Sequence, residues 1–202
     1  MDSDKSLTLY DNTMTLNDHS LSNIAGYDRI WHKLIACAAN RANIRRIALI
    51  QLYFLPQAVE EKSLGCIHKG GHSPINAVYD YGKQVQAKQG LVIMDTPGND
   101  PSSVAAMVAG GAQVIVFSSG RGSPVGSPIA PVVKITGNKL TFAKMEDNID
   151  FNAAPLIYGE KTVEELGEAL LKMVVETACG KQTKAEALGF VETAIARLCN
   201  YV

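Results

Sequence analysis

Three short, mostly apolar runs set the strongest limit on how this chain can fold: "GLVIMDT" at 90–96, "QVIVFSS" at 113–119 and "PVVKIT" at 131–136. Runs of this length, bounded by Gly, Pro and Ser, read as strands, and strands without a polar face are buried on both sides. Between the first two lies "NDPSSVAAMVAGG", which carries the punctuation of a helix. Asp100 is its expected N-cap, Pro101 stands at the first helical position, and Gly110 with Gly111 stops it. Strand, helix and strand in elements this short favour parallel pairing with a right-handed crossover. The expected fold class is therefore α/β, an open, mainly parallel sheet with flanking helices in a Rossmann-like layout.

Other segments extend this frame. "HSPINAVYDYGK" predicts a short helix from 74, with Ser73 as N-cap and Pro74 at the first turn. A further helix is expected around 139–147, then the short segment "NIDFNAA". In "KTVEELGEALLKMVVETACG", Thr162 and Glu165 form a capping box, Val163, Leu166, Leu170 and Val174 make one apolar stripe, and Gly180 ends the helix. A second capping box, Thr183 with Glu186, opens another helix, so the C-terminus is helical. Residues 1–25 are polar and predict a poorly ordered tail, and Ile30, Leu34 and Ala38 suggest one or two helices ending before Pro56. The chain thus divides into residues 1–56, a tail with a helical segment, and a domain over 57–202.

Composition narrows the partners. With 202 residues, 47% of them apolar, the chain can build a real core, and one main domain is expected. Nineteen basic against twenty acidic residues leave no positive field for nucleic acid or an anionic membrane, so small molecules or other protein chains are the expected partners. The longest apolar run, "IALIQLYFL", is too short to span a bilayer, and no secretory signal opens the chain, so a cytoplasmic location is the default expectation. Cys37, Cys66, Cys179 and Cys199 are far apart and read as reduced, mostly buried thiols.

The candidate site is the loop between the second and third runs, "SSGRGSPVGSP" at 118–128. Ligands of open parallel sheets sit at the carboxyl ends of strands, where this loop and "DTPGND" at 95–100 emerge. Glycines bring backbone N–H groups close to an anion, serine hydroxyls add donors, and the Arg121 guanidinium can hold a carboxylate or phosphate with two parallel hydrogen bonds. On pattern alone, an anion site and a turn that merely reverses the chain both stand. The loop is neither a Walker A motif nor GxGxxG, its glycines falling at 120, 122 and 126.

Four stretches in collinear order, "EEKSLGCIHKGG" at 60–71, "MDTPGND" at 94–100, "VAGGAQVIVFSSGRGSPVGSPIAPVVKITGN" at 108–138 and "MEDNIDFNA" at 145–153, resemble the C-terminal part of the altronate/galactarate dehydratase family. The large subunit of (2R)-sulfolactate sulfo-lyase is related to the same group. The resemblance implies a hydro-lyase that dehydrates a sugar acid to a 2-keto-3-deoxy product, with a divalent metal, iron or magnesium, whose ligands cannot be assigned in this chain. It also implies a complementary N-terminal subunit or a homo-oligomer. Removing the proton beside a carboxylate builds charge on that group, so fixed donors must hold it while a base and an acid act. Arg121, Gly122, Ser123, Ser118, Ser119 and Thr96 are the expected substrate-binding residues. Lys62 and Ser63, in "EEKSLG", are the expected catalytic ones, Lys62 for proton transfer or carboxylate steering. Glu61 and Lys62 read equally as a solvated pair, and Cys66 either as a metal neighbour or as a small buried thiol.

The chain also departs from the resemblance. Family members usually carry other residues, such as Gln and Thr, at the positions of His68 and His72, and Gly70 and Gly71 break a shared helical face, which argues against an essential ligand role. "RRIALIQLYFLPQAVE" stands where the family has a stretch like "NPSPGNxxGGLTT", so residues 1–56 do not resemble it. Ala154 replaces a common Gly, and Ser127 replaces the Cys of the galactarate branch. Three readings remain: part of a hydro-lyase that needs further chain or a partner, a truncated non-catalytic domain that keeps fold and oligomer interface, or an unrelated small-molecule anion-binding module.

Overall fold

The computed structural model describes residues 49–52, 75–87, 90–96 and 99–194, the first of these as backbone alone. Its strands are β1 (Leu49–Leu52), β2 (Ile75–Tyr79), β3 (Leu91–Asp95), β4 (Ile115–Ser118), β5 (Val132–Thr136) and β6 (Phe151–Asn152). Its helices are α1 (Asp100–Ala109), α2 (Lys139–Lys144), α3 (Ala154–Ile157), α4 (Val163–Ala178) and α5 (Lys184–Ala187). All strand pairs are parallel, as the apolar runs required, but they form two three-stranded sheets, β1-β3-β2 and β4-β5-β6.

This corrects three local expectations. β3 and β4 do not pair with each other: each is claimed by a different sheet, β3 as the centre of the first and β4 as an edge of the second. "INAVY" is strand β2, not a helix; its side chains alternate between half-buried and exposed, and it pairs along β3 with a register slip between Ile75 and Ala77. Ser73 and Pro74 imitate a helix start, but β-branched and aromatic residues with period-two burial fit a pleated surface better. Leu49–Leu52 is likewise a strand, paired with Val92–Asp95, where a helix ending before Pro56 was expected.

The second sheet carries the core. All five residues of β5 are buried, and they alternate between two apolar clusters. Val133 and Ile135 pack with Phe151, Ala153 and the α4 stripe of Leu166, Leu170 and Val174. Val132 faces the other way, with Ile115 of β4, Val104 and Met107 of α1, and Val125 of the loop after β4. The sheet is thereby sandwiched between α1 and α4, which is why its strands read as unbroken apolar runs. α1 also reaches the first sheet: a Cβ on Gly110, its C-cap, would come within 2.6 Å of Met94 Cε in β3.

Local chemistry explains the helix ends. Thr162 accepts from the Glu165 N–H while the Glu165 carboxylate accepts from the Thr162 N–H at 2.8 Å, the reciprocal cap expected of this spacing. Thr183 and Glu186 repeat it at α5. At α1 the cap is Asn99, not Asp100: the Asn99 Oδ1 accepts from the Ser102 N–H, and Asp100 is the first helical residue. α2 is shorter than expected and stops at Met145. Ala154, in place of a common Gly, opens α3 without strain, its N–H donating to Asn152 Oδ1 at 3.0 Å.

Leu170 is 1% exposed at the centre of the α4 contact. Leu170→Ala is expected to cost about 3 kcal/mol through lost burial and the cavity left behind, read as a fall in the urea midpoint at unchanged slope.

Candidate functional site

The glycine-rich loop leaves the carboxyl end of β4, and its first step continues the sheet: the Ser119 N–H donates to the Ile135 carbonyl at 3.0 Å. Ser118, the last residue of β4, is exposed, and Ser119 is half-buried. The Gly120 carbonyl then accepts from Thr141 Oγ1 of α2 at 2.9 Å. Arg121 is exposed at the tip, and no acidic side chain pairs with it among the described residues. Gly122 has φ +87, and a Cβ there would sit 2.3 Å from Met145 Sδ, so the loop turns here on a glycine that no side chain could replace without displacement.

Beyond the tip the loop dives into the core. Ser123 is 6% exposed and its hydroxyl donates to Asp100 Oδ2 at 2.9 Å. Val125 is buried between α1 and β5. Gly126 lies against Ala185 of α5 and Phe190, leaving no room for a side chain. Ser127 accepts from the Ile129 N–H at 3.2 Å, closing the turn into β5.

These contacts sort the expected binding residues. The two strand-end segments do meet, through the Ser123 to Asp100 bond, even though their strands belong to different sheets. Arg121 and Ser118 are exposed and Ser119 is half-buried. Ser123 instead spends its hydroxyl on an internal carboxylate, and Thr96 is 5% exposed with its hydroxyl donating to Ser103 Oγ at 3.3 Å. Both fasten the loop's surroundings. Lys62 and Ser63, with Glu61, Cys66, His68 and His72, lie outside the described residues, as do Cys37 and Cys199. Cys179 is a free, exposed thiol at the end of α4.

One cluster escaped the sequence reading. Lys134, in the middle of β5, is 2% exposed, and Asp150 beside it is nearly as buried. The Asp150 carboxylate accepts from the Lys134 N–H through Oδ2 and from the Lys184 N–H through Oδ1, each at 2.7 Å, tying β5 to the start of α5. The Lys134 ammonium stands 3.7 Å from Asp150 Oδ2. Burial pushes the Lys134 pKa below its ordinary value of 10.5, against the pull of Asp150. The available signal was a lysine set inside an otherwise apolar strand.

Among the described residues no group of three or more His, Cys, Asp or Glu side chains is placed to hold a metal ion, and no helix is long and apolar enough to cross a membrane.

Comparison with known proteins places this geometry. The profile of the family D-galactarate/Altronate dehydratase, C-terminal, matches residues 57–200. The chain is 41% identical over 137 residues to altronate dehydratase of Escherichia coli, covering 68% of this chain and 27% of that protein. It is 36% identical over 137 residues to altronate dehydratase of Bacillus subtilis, again covering 68% and 27%. It is 35% identical over 141 residues to the (2R)-sulfolactate sulfo-lyase subunit beta of Chromohalobacter salexigens, covering 69% of this chain and 36% of that protein. The chain thus spans about a quarter of the length of the two altronate dehydratases.

Two outcomes follow from the contacts. In a double-mutant cycle, S123A and D100A are expected to show a coupling of about 1–2 kcal/mol, the worth of a partly buried hydrogen bond to a carboxylate; additive melting free energies would show the contact to be idle. Because the unfolded chain keeps the Lys134 proton up to about pH 10.5 while the folded chain sheds it earlier, stability should rise with pH in that window. Thermal melts should therefore show wild type gaining on K134M from neutrality toward pH 10.

Proposed function

Because the chain belongs to the D-galactarate/altronate dehydratase C-terminal family, we propose that it is the loop-bearing part of a hydro-lyase that removes water from a sugar acid to give a 2-keto-3-deoxy acid. The observation that carries this reading is the exposed Arg121, without an acidic partner among the described residues, on a loop leaving a parallel strand's carboxyl end. In this reading the guanidinium holds the substrate carboxylate, and the hydroxyls of Ser118 and Ser119 are proposed to add donors. As the proton beside the carboxylate leaves, charge builds on its oxygens, and donors already in place need no reorganisation to meet it.

The divalent metal implied by the resemblance is proposed to be held by chain beyond the described residues. The share of the relatives' length covered supports a further proposal: turnover requires a complementary N-terminal portion, supplied by a partner subunit or by more chain. Lys62, for proton transfer or carboxylate steering, and Ser63 remain the proposed catalytic residues of that larger site. A cytoplasmic location is part of the same proposal.

The same coverage favours one alternative, a non-catalytic domain that keeps the fold. Assembly with the complementary portion separates the two: galactarate or altronate dehydration supports the hydro-lyase, and no turnover with any complement selects the silent domain. Within an active assembly, R121A is expected to raise the substrate dissociation constant about ten-fold or more, as loss of a charge-assisted pair should. An unchanged constant removes Arg121 from the site.

A further inference from the structure

Lys134 is buried on a strand with no exposed residue, and its Nζ has no hydrogen-bond partner among the described residues. Asp150 is beyond hydrogen-bond length, and each of its oxygens is already taken by a backbone N–H. The other charged groups that act on Lys134, Lys184 and Glu186 of α5, are engaged elsewhere. The Lys184 ammonium donates to the carbonyls of Glu146 and Ile149, and the Glu186 carboxylate accepts from the N–H and hydroxyl of Thr183. A structural ion pair repays its desolvation through short contacts and filled donors. Here the donors are left over, an arrangement that costs stability and needs another reason.

Position supplies one. Val133 and Ile135 face α4, so strand alternation puts Lys134 on the face of Val132, the face that Val125 of the glycine-rich loop covers. Lys134, at the centre of β5, is paired with Phe117, the residue just before the loop begins. An amine with idle donors is thereby stored under the segment proposed to bind an organic acid.

We propose that Lys134 is a ligand-binding residue: with Val125 of the loop displaced from its place in the core, its Nζ receives a carboxylate oxygen of the sugar acid. This rests on the sugar-acid reading of the loop and adds to it a second cationic contact, from beneath. A carboxylate brought to the amine supplies the missing acceptor and favours its charged form, reversing the effect of burial.

The full 202-residue chain, titrated with galactarate and followed by NMR, provides the test. K134M is expected to bind at least ten-fold more weakly than wild type while melting no lower, since both Asp150 oxygens keep their backbone donors. In wild type, the pH midpoint of the Lys134 side-chain resonance should move up on saturation with galactarate, and this measurement decides alone if K134M does not fold. An unchanged dissociation constant in folded K134M, or an unmoved midpoint, overturns the assignment and leaves the sugar-acid reading intact. Wild-type chain that binds neither galactarate nor altronate, alone or assembled with a complementary N-terminal portion, overturns both.

Discussion

Strand β5 has no solvent-facing side, yet the chain places a lysine in it, and the order of the second sheet depends on how that is managed. One carboxylate does the work. Asp150 accepts from the amides of Lys134 and Lys184 while its own N–H donates to the Lys134 carbonyl, so it joins β5, the approach to β6 and the start of α5 at a single point. Backbone amides are rigidly placed donors, and both Asp150 oxygens are taken by them. The α5 segment held this way in turn carries Ala185, which closes against Gly126 of the loop. Removing the carboxylate would orphan amides in two elements at once, whereas removing the ammonium would take from Asp150 only its 3.7 Å ion pair.

How much of this was legible in the sequence follows from how local each signal is. β3, β4 and β5 could be read because burial on both faces writes itself into a few consecutive residues. The α4 and α5 starts could be read because a capping box is complete within four residues. What could not be read depends on partners far along the chain. The division into two sheets is a choice by β3 between β4 and the strands β1 and β2, and nothing in the β3 run states that preference. β2 shows the same weakness from the other side, since Ser73 and Pro74 are sound helix signals that are overruled by pairing with β3.

The loop was legible as a feature and only partly as a site. Its composition announced exposed backbone and hydroxyls, and Arg121 is where such a loop should present it. The fate of each hydroxyl was hidden, because Ser123 and Thr96 are matched to Asp100 and Ser103 by folding rather than by spacing. Lys134 was hidden for the opposite reason: its strand was recognised as apolar, and the one charge in it drew no question.

Asp100 sharpens the electrostatic argument about the loop. A carboxylate in the first turn of α1 is favourable to that helix, whose amino end carries partial positive charge. The same carboxylate cancels part of the field that an arriving anion would seek at that end, and it occupies the Ser123 hydroxyl as well. An organic acid proposed for this loop therefore has little to gain at the base of α1. The attraction has to come from cations that Asp100 does not neutralise, and two groups meet that condition: Arg121 above the loop, exposed and without an acidic partner among the described residues, and Lys134 beneath it, its donors unfilled. In the proposed reading, discrimination for a carboxylate would rest on these two side chains.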